Sequence, residues 1–139
     1  MPNADRLQRL NQLQDTLLGP GCLDEKLKKI TDGVVEIFNA DFCRIWLSMP
    51  GDRCDAVCIH AKAKEEDKIC RLRERCLHLI ASSGRYTHIE GPHSRMPFGM
   101  YKLGRVAAGK ISKFLTNDAV NDPQIMDHEW ARGLGLVSF

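Results

Sequence analysis

The sequence predicts an α/β chain of the α+β kind, a central antiparallel β-sheet flanked by helices. Three observations lead there. Two amphipathic helical stretches open the chain, and short runs rich in β-branched and aromatic residues follow, separated by turn residues and further helices. The 139 residues, 43% hydrophobic and 27% charged with only 6 prolines, suit one domain with a single core. No internal repeat or low-complexity stretch interrupts the pattern.

From Ala4 to Leu18, the residues Leu7, Leu10, Leu13, Leu17 and Leu18 recur at helical spacing and form one apolar stripe. That stripe needs a partner, either the chain's own sheet or the same helix of a second subunit. Gly19-Pro20-Gly21 breaks the helix. A second helix is expected from Asp24 as N-cap to Asn39, burying Leu27, Ile30, Val34, Ile37 and Phe38. Phe42 to Leu47 is apolar on both faces apart from Arg44, as in an interior strand. Met49 to Asp52 supplies a turn, and Cys58 to Ala61 reads as the returning strand of a hairpin. Lys62 to Arg75 is strongly charged and reads as a surface loop or short helix. Cys76 to Ala81 is the next strand, closed by Ser82-Ser83-Gly84. A helix is expected over Met100 to Ala108, ended by Gly109. A short strand, Lys113 to Thr116, a polar turn, Asn117 to Pro123, a helix, Ile125 to Gly133, and a strand, Leu136 to Phe139, complete the order.

Composition narrows the function. The formal net charge of +2 arises from interspersed charges, without the dense basic stripe that nucleic-acid binding requires. No run approaches the roughly 18 apolar residues of a membrane span, and the polar start lacks the apolar segment of an export signal. The expectation is a cytoplasmic chain whose six cysteines are reduced thiols or metal ligands.

Taken together, the residues resemble the GAF domains of bacterial and archaeal sensor histidine kinases. The resemblance is carried by Leu23-Asp24-Glu25 with Ile30 and Val34-Val35, by Ala40 to Leu47, and by Ala81 to Gly84. It continues through Gly104 to Ala107, Phe114 to Asp118 and Asn121 to Pro123, and closes on Glu129 to Ala131 and Leu134 to Phe139. It spans residues 21–139, leaving 1–20 as an N-terminal signalling or linker helix. The resemblance implies a GAF-like sheet with a pocket between the sheet and the helices after its third strand. Small molecules, haem, bilins or metals bind there, or the pocket is empty and the domain only dimerises. The family's last strand pair and closing helix would follow Phe139. The expectation is therefore an incomplete module, lacking those last strands, whose strand Phe42–Leu47 has an unpaired edge and which forms a homodimer by edge pairing or exchange of elements.

The sharpest chemical feature is Cys54-x3-Cys58-x11-Cys70-x5-Cys76, with His60 and His78 beside it. Four thiolates suit tetrahedral zinc or an iron–sulfur cluster, and either histidine can replace one of them. Two other readings stand beside this one: small buried hydrophobes, or a reversible disulfide switch with Arg71, Arg73 and Arg75 nearby. His78, Tyr86, His88, Phe98 and Tyr101 are candidate pocket residues for a small ligand, with haem as a third cofactor behind zinc and iron–sulfur, or they are plain packing. Gly104 to Lys110 falls short of a phosphate loop because Ile111 stands where a hydroxyl is needed, and Arg132 replaces the second ligand of a His128-Glu129 zinc helix. The sequence thus points to a non-enzymatic signal-input domain with an output kinase domain in its parent chain. The rivals are a thiol-dependent methionine sulfoxide reductase and a ligand-free dimerisation module.

Overall fold

A computed structural model describes residues 2–139 and divides the chain into two compact units, Met1–Leu47 with His78–Ser94, and Ser48–Leu77 with Arg95–Phe139. The class is mixed α+β, with four α-helices and a three-stranded antiparallel sheet among the described residues. Along the chain these are α1 (Pro2–Leu18), α2 (Leu23–Phe38), β1 (Phe42–Met49), β2 (Cys76–Gly84), β3 (Arg95–Pro97), α3 (Tyr101–Ala107) and α4 (His128–Gly133), and a 3₁₀ turn covers Glu66–Lys68. The sheet order is β1-β2-β3.

In the first unit α1 packs on α2 through part of its leucine stripe, with Leu7 and Leu18 left exposed. Leu13 lies against Gly33, where an added Cβ would come within 2.6 Å of a Leu13 methyl, and Arg9 pairs with Glu36. The α2 N-terminus falls two residues earlier than expected, because Cys22 is the N-cap and the Glu25 carboxylate accepts its N–H at 3.1 Å. Asn39 closes the helix in the left-handed region, φ 51°, a conformation asparagine tolerates better than most residues. Leu27 and Ile37 are buried as expected, but Phe38 is 47% exposed with Arg6 stacked on its ring, and Thr31 is the fully buried residue.

β1 has one strand neighbour, so it is an edge strand and not the interior strand its apolar pattern suggested. Its residues Phe42 to Leu47 are all half-buried. β2 is the central strand, buried on both faces, and extends through Ser82 and Ser83 where a turn was expected. Successive residues point to opposite faces, so the two serines serve different neighbours. Ser82 takes a hydrogen bond from Arg44 of β1 at 3.3 Å, and Ser83 meets Thr31 and Lys28 of α2 at 2.6 and 2.9 Å. Gly84, φ 95°, ends the strand where a side chain would strike the Asp41 carbonyl.

In the second unit, Cys58 to Ala61 forms turns, not a hairpin strand. Gly51 instead donates to the Arg73 carbonyl and Cys70 to the His60 carbonyl, each at 2.8 Å, so the two cysteine-bearing segments are tied through their main chains. Lys113–Thr116 and Leu136–Phe139 are not assigned as strands. They nevertheless meet, since Thr116 and Phe139 exchange two main-chain hydrogen bonds of 3.1 and 3.0 Å. The last helix is shorter than expected, beginning at His128 with the Asp127 carboxylate capping Trp130 at 2.8 Å. β3 is the element the sequence did not reveal. It has three residues, too few for a period-2 pattern to show.

Candidate metal centre

The four cysteines of the spaced set all lie in the second unit. Cys54 and Cys58 flank a tight turn in which Ala56, Val57 and Cys58 all donate to the Arg53 carbonyl, at 3.2, 3.2 and 3.0 Å. Cys70 and Cys76 arrive from the far end of the charged loop. Each of these two thiols is 8% exposed, while Cys54 and Cys58 are half-buried. Among the described residues, all six cysteines are free thiols.

The thiols are close enough to act on one another. Burial is the first cause that pushes the Cys76 thiol up to about 11, and the neighbouring Cys58, Cys70 and Cys54 add to it while Arg95 opposes it. Cys70 is likewise raised, first by burial, with Cys58 and Cys54 contributing and its contact to the Leu72 carbonyl and Arg73 opposing. For Cys70 and Cys76 burial is the larger cause and the neighbouring thiols add to it. A cation placed among them removes that penalty.

Two arginines border the cluster. The neighbouring Cys54 thiol, with Asp55 and Cys70 adding to it, holds the Arg73 guanidinium above its ordinary value. Arg95 of β3 grips Asp52 with two hydrogen bonds of 2.8 and 2.7 Å. Four thiolates and one dication sum to two negative charges (−4 + 2 = −2), so this donor set, with guanidiniums beside it, fits a thiolate-bound dication. Among the described residues, no three His, Cys, Asp or Glu side chains stand where they could hold one metal ion together.

His60 is buried beside the cluster. Its Nε2–H donates to the Arg95 carbonyl at 3.0 Å, which leaves the lone pair on Nδ1. Burial pushes this imidazole below its ordinary value, against the pull of that carbonyl, so the ring is kept neutral.

The five candidate pocket residues divide between the units. In the first, His78 is buried on β2 and the half-buried Tyr86 meets the exposed His88 edge-on at 5.3 Å. Tyr86 also lies under the Arg44 guanidinium, 4.2 Å from ring centroid to carbon. In the second unit, Phe98 lies under Arg75 at 5.3 Å and Tyr101 faces His60 at 6.2 Å. Sequence reasoning missed Gly51, Asp52 and Arg95. Gly51 and Asp52 carried only a turn signal, and Arg95 carried none. The Gly104–Lys110 stretch is helix followed by Gly109 at φ 71°, as read from its residues.

No family model, curated protein or solved structure matches this chain.

Proposed function

We propose that the chain is a regulatory input domain of GAF type whose sensing element is the four-cysteine cluster, filled by a thiophilic metal ion. What supports this is the main-chain tie between the two cysteine-bearing segments, Gly51 N–H to the Arg73 carbonyl and Cys70 N–H to the His60 carbonyl, each at 2.8 Å, within the unit that holds all four cysteines. Zinc is the first candidate, because it takes four thiolates tetrahedrally and demands no redox partner. An iron–sulfur cluster is the second, and haem, through His78, ranks behind both. The bound metal would supply a fixed cross-link between the two segments, and no catalysis is assigned to it. In this reading the domain is cytoplasmic and acts on an output kinase domain in its parent chain, with α1 as the connecting helix.

The test is anaerobic purification followed by elemental analysis, with Cys54→Ser and Cys76→Ser as controls. Near-stoichiometric metal that falls in both variants supports the proposal. Less than about 0.2 metal per chain in the unsubstituted protein ends it, since a structural thiolate site is close to full when formed.

A homodimer through the edge of β1 belongs to the same proposal. An unpaired strand edge is a template for a second chain, and β1 has eight residues and a single strand neighbour. Sedimentation showing only monomer at high concentration would sink it.

A further inference from the structure

We propose that the Asp122–Pro123 peptide bond is a self-cleavage site, at which the Asp122 carboxylate attacks its own main-chain carbonyl carbon while His128 and the Ile125 N–H hold the carbonyl oxygen. The site lies within the second unit and uses neither the cysteines nor a metal ion.

Three features meet on this one bond. The Asp122 carbonyl oxygen has two donors, the His128 ring at 2.7 Å and the Ile125 N–H at 3.1 Å. A carbonyl oxygen only accepts, so the His128 Nε2 carries the hydrogen. Two N–H groups on one carbonyl oxygen stabilise the negative charge that forms there when its carbon is attacked. The Asp122 carboxylate is turned along the same bond. Its Oδ1 accepts from the Gln124 N–H at 2.9 Å, and the ring closed by this hydrogen bond runs through the Asp122–Pro123 bond. Gln124 is itself fixed from α3, because the Lys102 N–H donates to its carbonyl at 3.3 Å and the Arg105 guanidinium donates to its side-chain oxygen. Asp122 donates its own N–H to the Asp118 carbonyl at 3.0 Å. The third feature is the leaving group, a proline whose ring nitrogen carries no hydrogen in the peptide and departs as a secondary amine. Asp122 and His128 are half-buried and Pro123 is exposed, which leaves the bond open to water.

In the first step a carboxylate oxygen of Asp122 attacks the carbonyl carbon, a C–O bond forms, and the carbonyl electron pair moves onto the oxygen held by His128 and Ile125. On collapse the C–N bond to Pro123 breaks, and the proline nitrogen leaves with a proton taken from water. Asp122 is then a five-membered cyclic anhydride. The hydroxide left by that water adds to one anhydride carbonyl and opens the ring to two carboxyl groups. One water is consumed and no electrons are exchanged with another reactant. The products are residues 1–122 and a segment of 17 residues, 123–139 (139 − 122 = 17). Main-chain hydrogen bonds still join them, from the Ala119 N–H to the Val137 carbonyl at 3.0 Å and between Thr116 and Phe139 at 3.1 and 3.0 Å. The cut is therefore a nick that shows only under denaturing conditions.

The experiment incubates the full unsubstituted chain in mildly acidic buffer, once folded and once unfolded in urea, and follows intact mass under denaturing conditions. The folded chain should release 1–122 and 123–139 about a hundredfold faster than the unfolded one, the scale of one oxyanion donor. Asp122→Ala should leave the bond whole. His128→Ala, shown to fold by far-ultraviolet circular dichroism, should lower the rate toward that in urea. A folded chain that stays whole, or is cut no faster than in urea, overturns the proposal, because only the ordinary acid sensitivity of an Asp–Pro bond would then remain. That comparison needs no variant. Cleavage at another bond, or a folded His128→Ala chain cut at the parent rate, overturns it as well.

Discussion

Replacing Thr31 by valine tests whether the buried polar knot between α2 and β2 stabilises the first unit. Thr31 is 0% exposed and Ser83 1%, and their hydroxyls lie 2.6 Å apart. The Thr31 hydroxyl also contacts the Lys28 carbonyl at 3.0 Å, and Ser83 accepts from the Lys28 ammonium at 2.9 Å. Valine has nearly the shape of threonine, so the substitution removes the hydrogen bonds without opening a cavity. Ser83 keeps its lysine partner and is not orphaned, which places the cost at about 1–2 kcal/mol and not at the full penalty of an unsatisfied buried group. Ser83→Ala should cost a similar amount, since Thr31 keeps the Lys28 carbonyl. The double variant should then cost about 1 kcal/mol less than the sum, because the shared bond is lost only once. Urea denaturation followed by far-ultraviolet circular dichroism reads this directly. With a slope of about 2 kcal/mol per molar, a loss of about 1.5 kcal/mol moves the midpoint by about 0.7 M. Additivity within about 0.3 kcal/mol would refute the coupling. A neutral or stabilising Thr31→Val would refute the stabilising role itself.

Three further outcomes follow from the same structure. Gly84→Ala places a Cβ 2.7 Å from the Phe42 Cα at φ 95°, so β1 must shift, and a loss of about 3 kcal/mol is expected from combined backbone strain and overpacking. A thermal midpoint within about 2 °C of the parent would contradict that. Asp32 is pushed up by burial, but its hydrogen bond from Lys28, the nearby Ser83 hydroxyl and the Lys28 charge outweigh this and hold it below its ordinary value. A carboxylate lowered on folding stabilises above its unfolded value and loses that contribution as pH falls through the folded one. Asp32→Asn should therefore lower stability at neutral pH and flatten acid unfolding below about pH 4, and an unchanged acid limb would count against it. Saturating zinc at about 100 times its dissociation constant should stabilise the chain by about 2.7 kcal/mol, and Cys70→Ser should abolish the shift in a thermal melt. A shift retained in that variant would place zinc elsewhere.

Where a physical period ran long enough, the sequence was readable. The leucine spacing of α1, the capped amphipathic α2, the β-branched run of β1 and the start of β2 each follow from side chains within one element, because a single face had to be buried. The four-cysteine spacing marked a candidate centre for a similar local reason, since thiols clustered around turns are rare enough to notice. Tertiary structure decided everything that depended on partners distant in sequence. It set β1 at the sheet edge, where apolar residues on both faces had suggested an interior place. It drew Ser82 and Ser83 into the central strand because Arg44, Thr31 and Lys28 were there to satisfy their hydroxyls. It tied the loop before Cys54 to Arg73, whose carbonyl accepts from the Gly51 N–H at 2.8 Å. Those outcomes turn on which backbone and side-chain groups meet across 20 to 50 residues of chain, and no local pattern encodes such a meeting.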